Sequence, residues 1–581
     1  MQATTWTAPT FLRAYLGPQW RQVGLLLLCV LTSIAADLAN PLLVQHFIDV
    51  AAGQGALSDL ITIAIVFLII AILGQGLTVA ATAVAMRVSW RATNRLRTDL
   101  TRHCLNLDLP FHATHAPGEL VERVDGDVTK LGNFFSHFVV QVVGNLLLLA
   151  GIIIVTLHAE WHIGLAMAVC AVITISLLTA LSSLGVRSWE DESRASADVY
   201  SFIEERLSGM EDLRALGATA YVMRGLAERW RRLITTLQRA TLLGSVAFWT
   251  MLFMLTVTLV VTLGVGIILF ARHEATIGTL YLIFAYATLL QRPVEELSRQ
   301  IQDLQQASAS LLRTTDLLSA HSVIAPGQQT ELPRTHLTIT FDHVDFCYHP
   351  DRRTLKDVSF AVPAGATLGV VGRTGSGKTT LTRLLFRFYD PTAGTIRLNG
   401  VDLRDLALET LRSRIGLVTQ DIQLFHASIR DNLTFFDPTV PEERIIAALE
   451  TLGLGEWLSH QPEGVATLLA PDGTGLSAGE AQLLSFARVF LRDPPIIVLD
   501  EASSRLDPAT ERIVEAATMR LLAGKTAIII AHRLHTLKNV DAILMLEDGV
   551  IQEYGGRDAL THNADSRFAQ ILRAGMDEVL S

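Results

Sequence analysis

Long apolar segments fill the first half of the chain and alternate with polar stretches. A membrane-spanning helix needs about 20 mostly apolar residues. Six segments meet that requirement, at residues 22–47, 58–86, 134–157, 161–184, 243–271 and 276–300. The pattern therefore predicts an all-α, six-helix membrane domain over residues 1–320.

The basic residues of the connecting loops predict how this domain is oriented. Six arginines and one lysine lie in residues 87–133, and nine arginines lie in residues 185–242. The short loops near 48–57, 157–161 and 272–275 carry only Arg272. Because Lys and Arg favour the cytoplasmic side, we expect both termini and the two long loops inside and the three short loops outside. The long loops contain few Gly or Pro, which predicts helices that continue into the cytoplasm.

The second half of the chain has a different pattern of hydrophobic and polar residues. Residues 321–336 form a predicted linker that contains Pro326, Gly327 and Pro333 as helix breakers. From Leu337 onward, short β-like runs are followed by a glycine-rich turn and then by helices. This succession predicts an α/β domain over residues 337–581.

Composition excludes several classes of protein. Half of the 581 residues are hydrophobic, 18% are charged and the net charge is −10. Without a basic block, we expect no nucleic-acid partner. The cysteines do not have the spacing of a metal site or of a disulfide framework; they are Cys29, Cys104, Cys170 and Cys347. We expect no cleavable signal peptide, since the first apolar run is long enough to span a membrane.

A glycine-rich turn after the apolar run Thr367–Val371 carries the strongest chemical signal. Its residues form a full P-loop motif: Gly372, Arg373, Thr374, Gly375, Ser376, Gly377, Lys378 and Thr379. In such a loop, backbone N–H groups surround phosphates, the lysine neutralises β/γ-phosphate oxygens and the Thr379 hydroxyl ligates Mg²⁺. The next helix, predicted at Thr380–Phe388, directs its positive end to the same phosphates. The motif predicts binding of ATP with Mg²⁺.

A second element is the apolar run Ile496–Leu499, which ends in Asp500 and Glu501. An acidic pair at a strand end is more often a solvated turn. With a P-loop upstream the functional interpretation is favoured: Asp500 holds Mg²⁺ through water, and Glu501 polarises the water that attacks the γ-phosphate.

A third element is Leu476 followed by Ser477, Ala478, Gly479 and Glu480. Alone it could be an ordinary helix start with Ser477 as the N-cap. The order of all the motifs, however, resembles the ABC ATPase family, in which the corresponding signature is LSGGQ. The remaining matches are Gln420 with the Q-loop, Ser504–Asp507 with the D-loop, His532 with the switch histidine, and Tyr348 with the aromatic residue that stacks on adenine.

The resemblance implies roles for these residues. Thr379, Gln420 and Asp500 would surround Mg²⁺, and Glu501 and His532 would serve hydrolysis. The segment Ser477–Glu480 and Asp507 would contact nucleotide at the dimer interface. In this family, each ATP lies between one chain's P-loop and the other chain's signature.

Six helices ahead of one such domain resemble the exporter type, which the family builds as a dimer. The segment from Leu109 to Asp127 is similar to the family's first cytoplasmic loop. The resemblance implies short coupling helices near 108–116 and 205–215. It further implies a multi-pass protein of a bacterial cytoplasmic membrane, in contact with lipid, with its ATPase domain in the cytoplasm.

Three positions depart from the family pattern. Ala478 stands where the signature has glycine and Glu480 where it has glutamine, and Pro471 replaces an acidic residue that contacts coupling helices. Because the chain's own P-loop set is complete while its signature deviates, we expect a second, different half-transporter as partner, rather than another copy.

The sequence leaves the exported substrate open, and it leaves two alternatives to export. An ATP-gated channel or regulator, and an importer built on exporter architecture, share the same motifs; a soluble ABC ATPase is excluded by the six spans. Asp37 lies inside the first span, where a carboxylate is costly. It is interpreted as a paired or hydrated charge in preference to a contact with cargo.

Overall fold

The computed structural model describes residues 8–420, 422–500, 508–531 and 534–574. The chain forms two compact units. One contains residues 1–106 and 115–320, and the other contains residues 107–114 and 321–581. The short stretch Leu107–Thr114, from the first long loop, therefore belongs to the same unit as the second half of the chain.

The described residues of the first half form helices joined by short turns. Its helices are α1 (Ala8–Leu16), α2 (Trp20–Ala52), α3 (Leu57–Asn106), α4 (Leu109–Thr114), α5 (Pro117–Val121), α6 (Val128–His137), α7 (Gly144–Ala159), α8 (Trp161–Ser208), α9 (Met210–Ala215), α10 (Thr219–Ala271), α11 (Ile277–Leu289) and α12 (Gln291–Ser319). π-Helical turns at Glu122–Asp127 and Phe138–Val143 flank α6. The short helices α4 and α9 lie where coupling helices are expected.

Within the described residues, five helical segments are long and apolar enough to cross a membrane. They are Arg13–Ala52, Leu57–Asn106, Pro117–Ala159, Trp161–Leu181 and Thr219–Ala271. A lipid environment requires every backbone polar group to be bonded within the segment, and continuous helices achieve this. Several of these helices extend well beyond the 20 residues that a bilayer needs.

The sixth predicted span, residues 276–300, is built differently from one continuous apolar helix. It is divided at Leu290 into α11, which has 13 residues, and the start of α12. The first turns of α12 contain Pro293, which lacks a backbone N–H, together with charged residues such as Arg292 and Glu296. Residues 277–319 are helical apart from the single turn residue Leu290, and a membrane span at 276–300 stays a prediction.

A buried ion pair joins the loop before α6 to α12 within the first unit. Asp127 is fully buried, and its carboxylate accepts hydrogen bonds from Arg313 Nε (2.8 Å), Arg313 Nη2 (2.5 Å) and Ser310 Oγ (2.9 Å). Lys130 Nζ lies 3.7 Å from the same carboxylate. The bidentate geometry satisfies a charge that would otherwise be costly to remove from water.

The second unit contains two sheets. A four-stranded antiparallel sheet has the order β2 (Arg352–Val362), β1 (Ile339–His349), β4 (Ala393–Leu398), β5 (Val401–Asp402). A six-stranded sheet has the order β10 (Val550–Gly556), β9 (Ala542–Glu547), β3 (Thr367–Val371), β8 (Thr526–Ile530), β7 (Ile496–Asp500), β6 (Ile415–Val418). In the six-stranded sheet only β10 runs antiparallel to its neighbour.

The four-stranded sheet shares an apolar cluster with one face of the larger sheet, and both faces carry helices. These helices are α13 (Lys378–Leu385), α14 (Leu408–Arg414), α15 (Ile429–Thr434), α16 (Glu442–Thr451), α17 (Gly455–Ser459), α18 (Ala478–Arg492), α19 (Pro508–Leu522), α20 (Arg557–His562) and α21 (Arg567–Ala574). Successive strand residues enter different apolar clusters, as Val498 and Leu499 do on β7. Strands buried on both faces explain the near-continuous apolar runs in the sequence.

The buried ion pair leads to a first testable prediction. Replacing Arg313 with alanine leaves the Asp127 carboxylate buried with only Ser310 and Lys130 beside it. Breaking a buried pair costs about 3–5 kcal/mol. Because the Arg313 side chain is 46% exposed, we expect a smaller loss, about 2 kcal/mol. The measurement is the unfolding of the detergent-solubilised protein.

Arg95→Ala serves as the matched control, since its pair with Asp99 is solvent-exposed, with 4.0 Å between the charged atoms. An exposed pair of this kind contributes less than about 1 kcal/mol. Equal losses of stability in the two variants would contradict a special contribution from the buried pair.

Candidate functional site

The candidate site lies at one edge of the six-stranded sheet. There β8 stands between β3 and β7, with Ile530 in register with Val370 on one side and with Asp500 on the other. On the far side of β7, Val418 of β6 is in register with Leu499. The carboxyl ends of parallel strands meet at one edge of a sheet, where such folds bind ligands. This arrangement brings the P-loop, Asp500 and the segment containing Gln420 to the same edge.

The backbone of residues 372–377 has the shape of a phosphate-binding loop. Gly375 and Gly377 have φ values of 83° and 108°, in the left-handed region that residues with a Cβ rarely adopt. A Cβ on Gly372 would collide with the Leu546 carbonyl, and one on Gly377 would lie 2.7 Å from Leu355 Cδ2. The glycines are therefore required by close packing as well as by backbone conformation.

Two side chains of this loop have polar groups suited to an anion. Ser376 is 4% exposed, and its hydroxyl oxygen has no hydrogen-bond partner among the residues that the structure describes. Lys378 is 5% exposed, and its ammonium group donates to the carbonyls of Gly372 (2.5 Å) and Arg373 (3.1 Å). The unpaired Ser376 hydroxyl thus lies just before α13, and the Lys378 ammonium lies at its first residue. This chemistry fits the phosphates of ATP.

The helix after the loop begins earlier than predicted. α13 starts at Lys378 and ends at Leu385, so Lys378 and Thr379 occupy its first turn, whereas the sequence predicts Thr380–Phe388. Thr379 is exposed and Thr380 is buried. The positive end of the helix dipole therefore lies at the two residues with the most direct part in phosphate and metal binding.

An aromatic group lies beside the loop. The Tyr348 hydroxyl is 3.3 Å from the Thr380 hydroxyl and accepts a hydrogen bond from Arg383 Nη1 at 3.2 Å. The Tyr348 ring also packs edge-on against Tyr389, with 5.1 Å between ring centres. These contacts orient an aromatic side chain next to the P-loop helix, and 36% of Tyr348 remains exposed for contact with a base.

The structure places only some of the proposed metal and catalytic residues. Asp500 is the last residue of β7 and is half-buried, and Gln420 is exposed two residues after β6. Glu501, Asp507 and His532 lie outside the described residues. His532 directly follows Ala531, whose backbone N–H donates to the Val370 carbonyl at 3.1 Å.

The signature segment forms the first turn of α18. Ser477 and Glu480 form a reciprocal capping box. The Ser477 backbone N–H donates to Glu480 Oε2 at 2.7 Å, and the Glu480 N–H donates to Ser477 Oγ at 3.2 Å. Ser477 and Ala478 are exposed and Gly479 is buried. Both interpretations of the sequence, helix cap and signature, thus describe the same residues, and the Glu480 carboxylate lies over the helix N-terminus.

Arg488, which no sequence motif singles out, connects α18 to the segment that follows Gln420. Its guanidinium donates to the carbonyls of Gln423 and Asn432, both at 2.7 Å, and lies 5.1 Å from the ring centre of Phe435. Burial lowers the pKa of Arg488. The available signal was a lone arginine within the apolar run Ala481–Leu491.

Arg488 also lines a groove of about 460 Å³ within the second unit. Aromatic and basic side chains alternate around it, including Phe388, Phe425, Arg412 and Arg492. The aromatic residues are scattered along the sequence, and only the tertiary fold brings them together.

The fold and site define a class of protein: a helical membrane domain fused to a P-loop ATPase domain. The family models described as ABC transporter transmembrane region and ABC transporter match residues 23–294 and 355–504. The chain is 32% identical to the uncharacterized ABC transporter ATP-binding protein YknV of Bacillus subtilis (strain 168), over 96% of this chain and 92% of that protein. The chain belongs to the ABC transporter family.

Other relatives indicate the subtype. The toxin RTX-III translocation ATP-binding protein of Actinobacillus pleuropneumoniae is 30% identical, over 91% of this chain and 74% of that protein. A solved structure of a bacterial Atm1-family ABC exporter with ATP bound matches with a TM-score of 0.83 and 25% identity, over 95% of this chain and 98% of that one. The predicted fold class and the exporter-type half-transporter are confirmed, and the activity is ATP hydrolysis coupled to transport.

Lys378 gives the second testable prediction. Lys378→Ala removes the ammonium that would pair with phosphate oxygens, and a charged hydrogen bond contributes about 1.5–3 kcal/mol. We therefore expect ATP affinity to fall by about tenfold or more. Binding of a fluorescent ATP analogue to the purified transporter measures the effect.

Lys525→Ala is the matched control. Lys525 directly precedes β8 at the opposite edge of the sheet, where it pairs with Asp493 at 2.5 Å. Its removal should leave ATP affinity unchanged. Unaltered affinity in Lys378→Ala would exclude the proposed phosphate contact.

Proposed function

We propose that this chain is one half of a heterodimeric exporter that moves an amphiphilic substrate out of the cytoplasm or the inner leaflet. The observation that carries the proposal is the contrast between its two ATP-facing surfaces. The P-loop edge has every residue type that hydrolysis requires, whereas the signature helix presents a carboxylate. One intact site and one weakened site are expected of an asymmetric dimer.

The chain's own site would hydrolyse ATP. The P-loop amides, Ser376 and Lys378 would hold the phosphates, and Tyr348 would stack on adenine. Mg²⁺ prefers oxygen ligands, which Thr379, Gln420 and Asp500 could provide, directly or through water. Glu501 would polarise the attacking water and His532 would contact the γ-phosphate side of the site.

The signature would serve a partner's ATP less well. A helix N-terminus attracts an anion through its free N–H groups and its dipole. In this chain the Glu480 carboxylate accepts a hydrogen bond from the Ser477 backbone N–H at 2.7 Å, and so places negative charge where a phosphate would approach. Ala478 adds a methyl group at a position where the family has glycine. Both features weaken binding of the phosphate.

Two relatives favour export over the alternatives. The Actinobacillus pleuropneumoniae relative is a toxin translocation ATP-binding protein, and the structural relative is an exporter. We propose the cytoplasmic membrane of a bacterium as the location, with both termini and the ATPase domain inside, from the distribution of arginines in the loops.

Asp37 is proposed to be a paired or hydrated charge. Its side chain, on α2, is half-buried. A carboxylate within a membrane helix is costly unless it is paired or hydrated, and either state would satisfy Asp37 without contact with cargo. The mainly aliphatic surfaces of the helices favour an amphiphile as substrate.

Transport into inside-out vesicles tests the direction and the catalytic residue together. We expect wild-type vesicles to accumulate a short-chain fluorescent lipid analogue in the presence of MgATP. Glu501→Gln should bind ATP normally and lower both ATP turnover and accumulation by about 100-fold or more, since general-base catalysis contributes about 10²–10⁴-fold.

Right-side-out vesicles are the control for direction and should not accumulate the probe. Accumulation only in right-side-out vesicles would indicate import. ATP-dependent ion current without accumulation would indicate a channel. Wild-type ATP turnover in Glu501→Gln would exclude Glu501 as the base.

The chain expressed alone tests the heterodimer. We expect weak ATPase activity, because both ATP molecules of a homodimer would contact a signature that contains Ala478 and Glu480. The double variant Ala478→Gly/Glu480→Gln restores the family signature and should raise the activity of the same preparation by about tenfold, which corresponds to 1.4 kcal/mol. A stable wild-type homodimer with strong activity and two equivalent sites would overturn the proposal.

A further inference from the structure

A single carboxylate joins the first coupling helix to the linker. Asp108 directly precedes α4, and its Oδ1 accepts a hydrogen bond from the Phe111 backbone N–H at 3.2 Å. Its Oδ2 accepts three more, from Ser322 Oγ (2.8 Å), Val323 N–H (2.5 Å) and Ile324 N–H (3.2 Å). All of these residues belong to the second compact unit.

The Asp108 carboxylate accepts more hydrogen bonds than an N-cap residue needs. An N-cap side chain satisfies one N–H of the first turn, and the Phe111 bond already does so. The other three donors lie more than 200 positions away, in the linker after α12. Burial raises the pKa of Asp108, but these hydrogen bonds outweigh it and hold the pKa below its usual range. The group is therefore ionised at neutral pH.

The linker is also held by Arg387. This side chain is 3% exposed and donates to the Ala325 carbonyl at 2.7 Å. It also donates to the carbonyls of Leu403 and Leu406. Further along, Gln329 exchanges backbone hydrogen bonds of 2.9 Å with Asp405 and Ala407. Residues 322–329 are thus fixed to the ATPase unit rather than acting as a loose tether.

The same contacts reach the nucleotide-binding elements. Arg387 follows α13, the helix that begins with Lys378. The Arg387 backbone N–H donates to the Leu384 carbonyl of α13 at 2.9 Å, and Tyr389, two residues later, packs against Tyr348. A continuous set of contacts therefore runs from α4 through the linker to the P-loop helix and the proposed adenine-stacking residue.

We propose that Asp108 is a positioning residue for coupling, because it locks the first coupling helix to the linker so that α4 moves with the ATPase unit. α4 is joined by the chain to α3 and α5 of the membrane unit. Closure of the ATPase domains would then pull directly on those helices. The inference rests on ATP-driven cycling of the exporter, and it assigns Asp108 no part in hydrolysis itself.

Asp108→Asn separates the two contacts of this side chain. Asparagine is as good an N-cap as aspartate, so α4 keeps its first-turn hydrogen bond. Its amide NH₂, however, turns a donor toward the linker N–H groups. In the assembled two-subunit transporter we expect ATP hydrolysis within about twofold of wild type. The ATP- and vanadate-driven distance change between spin labels at Gln54 and in the matching outer loop of the second subunit should fall at least fivefold.

Glu122→Gln is the matched control on the same loop, because it removes only an exposed ion pair with Lys130 (2.8 Å). It should retain both hydrolysis and the distance change. A wild-type distance change in Asp108→Asn, or an equal loss of the distance change in Glu122→Gln, would overturn the proposal. Absence of hydrolysis in the wild-type transporter would instead contradict the exporter function.

A reversible cross-link tests the same point without relying on the folding of Asp108→Asn. Asp108→Cys/Ser322→Cys is made in a chain whose four native cysteines are replaced by serine. In one preparation, the oxidised form should show the wild-type distance change and the reduced form should lose it, with hydrolysis similar in both. A reduced form that opens as the wild type does would overturn the proposal.

Discussion

The parallel register of β3, β8 and β7 is the constraint on which the ATP site depends. Ile530 is paired with Val370 on one side and Asp500 on the other, so these strands end together. The two faces of the strands enter separate apolar clusters, which makes the register hard to shift: a slip of one residue would exchange the faces of every side chain on a strand. The P-loop and Asp500 meet because the sheet core fixes both strand ends.

Hydrogen bonds from side chains to distant backbone groups then connect this rigid edge to its surroundings. Arg488 connects α18 to the segment after Gln420, and Asp108 and Arg387 both hold the linker. In each case a charged group is desolvated and several polar partners compensate for its burial. Asp127 with Arg313 follows the same rule in the membrane unit. Charges are retained inside this protein where they join segments far apart in sequence.

The sequence could predict features built from neighbouring residues, but not contacts between residues far apart in the chain. The strand, glycine turn and helix of the P-loop are consecutive, so their order alone predicted the site, and apolar periodicity predicted the helical first half. Arg488 and Asp108 have partners 56 to 216 positions away, and such pairings leave no periodic signal. The segment 276–300 is predicted as one span from its apolar residues, and the place where α11 and α12 meet, at Leu290, has no signal in that average. Glu501, Asp507 and His532 lie outside the described residues and stay predictions.

In the capping box of the signature helix, Glu480 stabilises the helix start but competes with a phosphate for the same N–H groups. Glu480 satisfies the Ser477 N–H and places its charge at the positive end of the helix dipole, an arrangement that stabilises a helix by about 0.3–1 kcal/mol. A phosphate approaching the same N–H groups must compete with that carboxylate. Glutamine, the family residue, also completes a capping box but brings no charge. Under the proposed role of this helix, the carboxylate that stabilises the helix start would therefore weaken the binding of a second subunit's ATP, and this conflict follows from the geometry of the helix start.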